Sequence, residues 1–192
     1  MTFLVAILLL QAVGTVLDND YVRVSRNASP CAVAGTADCG DRVVVAMGPV
    51  QFGAKKMSRG DIIVFKARAS YKPPAGGDYL EVAFRPDHPP VKSPTELIPP
   101  DKNSLLYDGQ RFFVFQENLA PGETRARHSH SQRVVVVLNQ TRLQQWPDGG
   151  PAIFRDQIPD DVRFNEPVIH VVKTVGDKPL RNIVIEFKPE RK

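Results

Sequence analysis

Gly122-Glu-Thr-Arg-Ala-Arg-His128-Ser-His130-Ser-Gln132-Arg133-Val-Val-Val-Val-Leu138 is the stretch from which the rest of the chain is read. Two imidazoles stand at i and i+2, a spacing that shares one face on a β-strand but not on a helix. The following run, Val134 to Leu138, is apolar and almost wholly β-branched, as befits a buried strand wall. A glycine opens the segment, and polar residues separate it from the wall. The stretch therefore reads as a strand that carries two histidines into a β-barrel or sandwich.

Moving back 91 positions exposes a repeat. Residues 21–52 fall on 112–143 without a gap. Tyr21-Val22-Arg23-Val24 lands on Phe112-Phe113-Val114-Phe115, Asn27 and Pro30 on Asn118 and Pro121, and Arg42-Val43-Val44-Val45 on Arg133-Val134-Val135-Val136. Each Val-rich strand is followed by a second strand group. These are Asp61 to Phe65 and Tyr79 to Phe84 in the first copy, and Val168 to Val172 and Asn182 to Phe187 in the second, punctuated by Gly and Asp. Between them, Pro86, Pro89, Pro90, Pro94, Pro99 and Pro100 mark residues 86–104 as an extended connector. No window keeps apolar residues at helical spacing for three turns. Strands separated by turn signals, with no helices between, predict an all-β sandwich or barrel in two repeated halves, at 18–85 and 105–190.

Composition narrows the function classes. The chain has 192 residues, 42% apolar and 24% charged, an ordinary globular balance, and a net charge of +4. Charges of both signs are dispersed, with no basic run interleaved with aromatics, so no nucleic-acid partner is expected. Phe3 to Leu10 is apolar but far short of the ~20 residues that span a bilayer, so no transmembrane span is expected. With Ala12-Val13-Gly14 after it, the run reads as a signal peptide over 1–14, although residues 1–14 contain no Lys or Arg. The competing reading is an N-terminal strand or helix packed on the barrel. Export predicts a secreted or periplasmic protein. There, Cys31 and Cys39, eight positions apart, either form a disulfide or remain two free thiols.

Of four histidines, three are candidates for one metal: His128, His130 and His170. His88, in the connector, has no partner in sequence and is expected on the surface. Three neutral imidazoles with open positions suit a divalent transition metal, Zn, Fe(II), Ni or Cu, better than the oxygen-seeking Mg or Ca. Ser129 points away from its histidine neighbours by alternation, and neither a Gly-x-Ser-x-Gly elbow nor a phosphate-binding Gly-rich loop occurs, so no catalytic residue is assigned. Arg125, Arg127, Arg133, Arg163 and Lys173 lie near the histidines in sequence and suit an anionic substrate. Alternation nonetheless places Arg127 and Arg133 on the face opposite His128 and His130, towards solvent.

The Gly122, His128 and His130 pattern resembles the first motif of the cupin family, and Glu166-Pro-Val-Ile-His170 is loosely similar to the second. Val175 to Arg181 resembles the family's final hairpin. The resemblance implies a cupin-like double-stranded β-helix, or jelly-roll barrel, with a metal site in the second half. The family's glutamate ligand would lie two to five residues past His130, where this chain has Gln132, Arg133, Val134 and Val135. Gln132 shares the parity of the histidines and is a possible weak ligand. In the first half Ala37 and Cys39 occupy the histidine positions, so that half is expected to be degenerate and metal-free. The resemblance implies either a metal-dependent enzyme of oxygenase or isomerase type on a small molecule, or a non-catalytic ligand-binding or structural module.

Overall fold

The computed structural model describes residues 14–189, and the expected signal peptide lies outside them apart from Gly14. Fifteen strands follow in chain order: β1 (Gly14–Asp18), β2 (Val22–Arg26), β3 (Arg42–Phe52), β4 (Lys55–Met57), β5 (Ile62–Phe65), β6 (Gly77–Phe84), β7 (Asn103–Asp108), β8 (Phe112–Leu119), β9 (Thr124–His130), β10 (Arg133–Val137), β11 (Thr141–Pro147), β12 (Ile153–Gln157), β13 (Val162–Asn165), β14 (Val168–Thr174) and β15 (Leu180–Phe187). No described segment is helical, and none is a helix long and apolar enough to cross a membrane.

Three antiparallel sheets form. The first runs β1-β2-β6-β3-β4, with β5 also on β3; the second runs β13-β10-β15-β8-β7; the third runs β12-β11-β14-β9. The first and second sheets pack face to face. Val22, Val24, Val43, Val45, Val82 and Phe84 meet Phe112, Val114, Val134, Val136, Ile185 and Phe187 in one buried cluster. The intervening residues of the Val-rich strands are buried too. Val44 and Ala46 join Val50, Phe52 and Tyr79 on the far face of the first sheet, and Val135 and Val137 join Phe115 and Val184 on the far face of the second. Strands covered on both sides read as continuous apolar runs rather than alternation, which is why these segments stand out in the sequence.

The repeat is visible in the pairing, with one correction. Arg42 pairs with Ala83 and Arg133 with Glu186, at equivalent positions of β6 and β15, so β3 and β10 keep the offset of 91. Val24 pairs with Val82 and Val114 with Ile185, an offset of 90 for β2 and β8. One residue is gained before β10, and ungapped alignment of the first strands would exchange their inner and outer faces. The connector is extended but not detached. Lys92 N–H donates to Gln132 Oε1, Ser129 N–H donates to the Ile98 carbonyl, and Ile98 N–H donates to Ser129 Oγ.

Candidate metal centre

The third sheet carries the histidines. Gly122, in the turn between β8 and β9, has φ +77°, a left-handed conformation that glycine adopts without steric cost. From it β9 runs antiparallel to β14, with His128 directly opposite His170 and His130 opposite Val168. Arg125 faces Val172, so Ala126 and Arg127 together oppose Val171. This bulge changes the parity of the strand and brings Arg125 to the side of His128.

The three rings converge. Their centroids are 4.6 Å apart for His128 and His170, 4.8 Å for His128 and His130, and 5.6 Å for His130 and His170. One nitrogen from each lies within 4.8 Å of the others, and among the described residues no other group of three His, Cys, Asp or Glu side chains is so placed. All three are buried. The His128 Nδ1 is 2.8 Å from the Ala126 carbonyl and the His130 Nδ1 is 2.7 Å from Glu186 Oε2. Each contact calls for the proton on Nδ1 and leaves Nε2 with its lone pair directed elsewhere. His128 Nε2 and both nitrogens of His170 are buried without a hydrogen-bond partner.

Burial lowers the basicity of all three imidazoles. It acts with the neighbouring arginines on His128, with Arg133 foremost on His130, and with the other two histidines on His170, which falls to about 2. The neutral ring, the form that ligates a metal, is therefore the stable one across the ordinary pH range.

A cavity of about 230 Å³ opens beside His130 and His170. Glu117, on β8, enters it with Oε1 3.8 Å from His130 Nε2. Its carboxylate takes Arg125 Nη1 at 2.8 Å and Asn182 Nδ2 at 2.9 Å. Burial raises its pKa, but Arg125 foremost, with Asn182 and Arg133, outweighs that and holds it at about 2. Glu186 accepts from Ser131 N–H as well as His130, yet burial pushes it up to about 7. The family motif directed attention past His130, whereas these carboxylates come from β8 and β15. The available signal was parity. Phe113, Phe115 and Glu117 share the face of β8 turned away from the first sheet, as Asn182, Val184 and Glu186 share that of β15.

Three sequence expectations are corrected. Gln132 is turned to the connector: Oε1 accepts from Lys92 and Nε2 donates to Glu166, because residues 131–132 are a break between β9 and β10 where alternation fails. The same break turns Arg133 inward, to the cavity wall, at 7% exposure. His88 is half-buried against Tyr21 and Phe187 rather than free at the surface. Arg127 does face solvent, paired with Asp148 and Glu96. Cys31 and Cys39 are joined by a disulfide in the first half.

No protein-family model and no curated protein matches the chain. Solved structures do. The Cupin 2 conserved barrel domain protein of Leptotrichia buccalis is 13% identical, with a TM-score of 0.51 over 92% of this chain and 88% of its own. The chain has the cupin fold. AerE of Microcystis aeruginosa is similar to the same extent, 14% identical, with a TM-score of 0.52 over 91% of this chain and 90% of its own. Within this cupin fold the donor set fits a divalent transition ion. Three neutral imidazoles meet around unpartnered buried nitrogens, and two of them are oriented by hydrogen bonds at their far nitrogen.

Proposed function

We propose that the second half is a metal-dependent catalytic site for a small molecule, with His128, His130 and His170 holding a divalent ion: Zn, Fe(II), Ni or Cu. The observation that carries this is the meeting of three buried imidazoles beside a cavity, with nitrogens that otherwise lack partners. Three protein ligands and an open side are the pattern of a reactive site rather than a closed structural one. A bound ion would supply Lewis acidity to an oxygen of the substrate or of a water. The chain's own residues do the rest. Glu186 and the Ala126 carbonyl orient two of the rings, Glu117 keeps a negative charge beside His130, and Val135, Leu143, Val172 and Leu180 give the cavity apolar walls.

The test is elemental analysis of tag-free protein. Wild type is expected to hold one ion per chain; His128→Ala, His130→Ala and His170→Ala are expected to lose most of it while staying folded, and His88→Ala to keep it. Full occupancy in His170→Ala would remove it from the ligand set. No stoichiometric metal under any loading condition would end the catalytic reading in favour of a ligand-binding or structural module.

We further propose that the protein is exported, with residues 1–14 as the signal peptide and Cys31 and Cys39 oxidised in the mature chain. The joined cysteines support an oxidising compartment. Intact mass of protein from its native host is expected to lack about the first 14 residues. A cytoplasmic chain retaining Met1 would contradict it.

A further inference from the structure

Arg133 is the unusual charge of the cavity. It is 7% exposed, and its Nη1 donates to the carbonyls of Ser131 and Glu166 at 3.2 and 3.1 Å. Its Nε and Nη2 make no hydrogen bond, and no carboxylate lies within 4 Å, among the described residues. The other arginines nearby are neutralised: Arg125 by Glu117, Arg163 by Asp161. Glu186 faces Arg133 across the β10–β15 pair, but its oxygens are occupied by His130 and Ser131. The free edge reaches the cavity, and a guanidinium so largely withdrawn from water, with Glu186 and Glu117 acting on it only at a distance, gains from a partner of matching geometry there.

We propose that this partner is the ligand, a short carboxylic acid whose carboxylate is gripped by Arg133, with Arg155 on the cavity rim as a second contact. Nε and Nη2 form one edge of the guanidinium, the fork that binds the two oxygens of a carboxylate in parallel. Arg155 also lines the cavity and has no ion pair among the described residues. The apolar part of the cavity wall favours a ligand with a carbon chain, which inorganic phosphate lacks, so a carboxylic acid fits better than phosphate. About 230 Å³ lies below the range of drug-sized pockets and admits a short acid, while Val135, Leu143 and Val172 can receive its carbon chain. The inference deepens the proposed metal site, since His130 and His170 line the same cavity, but it does not depend on the ion for its first contact.

Calorimetric titration of the full chain, metal-loaded and chelator-treated, separates the two readings. The probes are malonate, its neutral analogue malonamide, and inorganic phosphate. Malonate is expected to bind one per chain, tighter than phosphate, with no binding of malonamide. Arg133→Met should weaken malonate about thirtyfold or more, as loss of one partner of a buried charge pair does. Arg133→Lys should weaken it less, and Arg155→Met least, with metal content unchanged in all three. If Arg133→Met does not fold, Arg133→Lys and Arg155→Met carry the test. Unchanged malonate binding in the folded variants, equal binding of malonamide, or tighter binding of phosphate overturns the inference whatever the metal content. Malonate binding that is lost on changing Arg133, in a protein that holds no metal, would sustain it while ending the metal reading.

Discussion

Arg42 and Arg133 begin corresponding strands, β3 and β10, and each donates Nη1 to the carbonyl two residues before it. Beyond that contact they diverge. In the first half the guanidinium also donates to the Ala69 carbonyl and lies 5.9 Å from the Tyr71 ring, which itself stacks on Phe65 at 4.1 Å. The segment between β2 and β3 forms no strand, and the disulfide closes it on itself. In the second half the segment between β8 and β10 contains β9, which pairs with β14 and begins a third sheet. A cavity stands in front of Arg133 where a loop covers Arg42. The same framework thus makes a closed core in one copy and an open site in the other, and the difference lies in the segments on both sides of the Val-rich strand: the disulfide loop and the Ala69–Tyr71 loop in the first half, β9 and β11–β12 in the second.

The largest effect is expected where the halves are alike. Phe112, fully buried, stacks on Phe84 across the shared interface at 4.3 Å. Phe112→Ala should cost about 3–5 kcal/mol of stability, measured by denaturant unfolding in one transition. Separate transitions, with only one moved, would break the picture of a common core. Next comes the closed segment of the first half. Cys31→Ser with Cys39→Ser should cost about 2–3 kcal/mol by the chain-entropy model and leave metal content unchanged. A loss of metal would mean that the first half supports the site.

pH sharpens the contrast. Burial lowers His170 from 6.5 to about 2 in the fold, so the unfolded chain takes up a proton below 6.5 that the folded chain does not. Its contribution is whole above pH 6.5 and is lost as pH falls towards 2. Glu81, in the first half, behaves oppositely. Burial, against the Cys31 N–H and Arg42, raises it from 4.5 to about 7, so its contribution is whole below pH 4.5 and is lost as pH rises through 7. In metal-free protein, His170→Gln should raise the melting temperature at pH 4 relative to wild type more than at pH 8, and Glu81→Gln the reverse. Equal shifts at both pH values would contradict the assignments. The smallest effect belongs to Arg127→Ala. Its pairs with Asp148 and Glu96 are solvent-exposed, and neither melting temperature nor metal content should move measurably.

The β-class, the repeat and the three histidines were legible because they rest on local signals: β-branched runs covered on both faces, and i, i+2 spacing on a strand. Opposition of His128 and His170 needed only the assumption that β9 and β14 pair. Strict alternation failed at two places: the bulge at Ala126 and Arg127, which brings Arg125 to the side of His128, and the break at residues 131–132, which changed the readings of Arg133 and Gln132. The irregularities depend on which residues of one strand face which of another, a non-local property. Strands β11, β12 and β13 escaped notice because Thr141 to Asn165 is mixed in polarity and largely exposed on one side.

The most direct measurement is anomalous diffraction at the metal edge from crystals of wild-type, metal-loaded protein. The account predicts one peak per chain, bounded by His128, His130 and His170, and none in the first half around Arg42 and Glu81. A strong peak elsewhere, or none in a site shown by elemental analysis to be loaded, would contradict it.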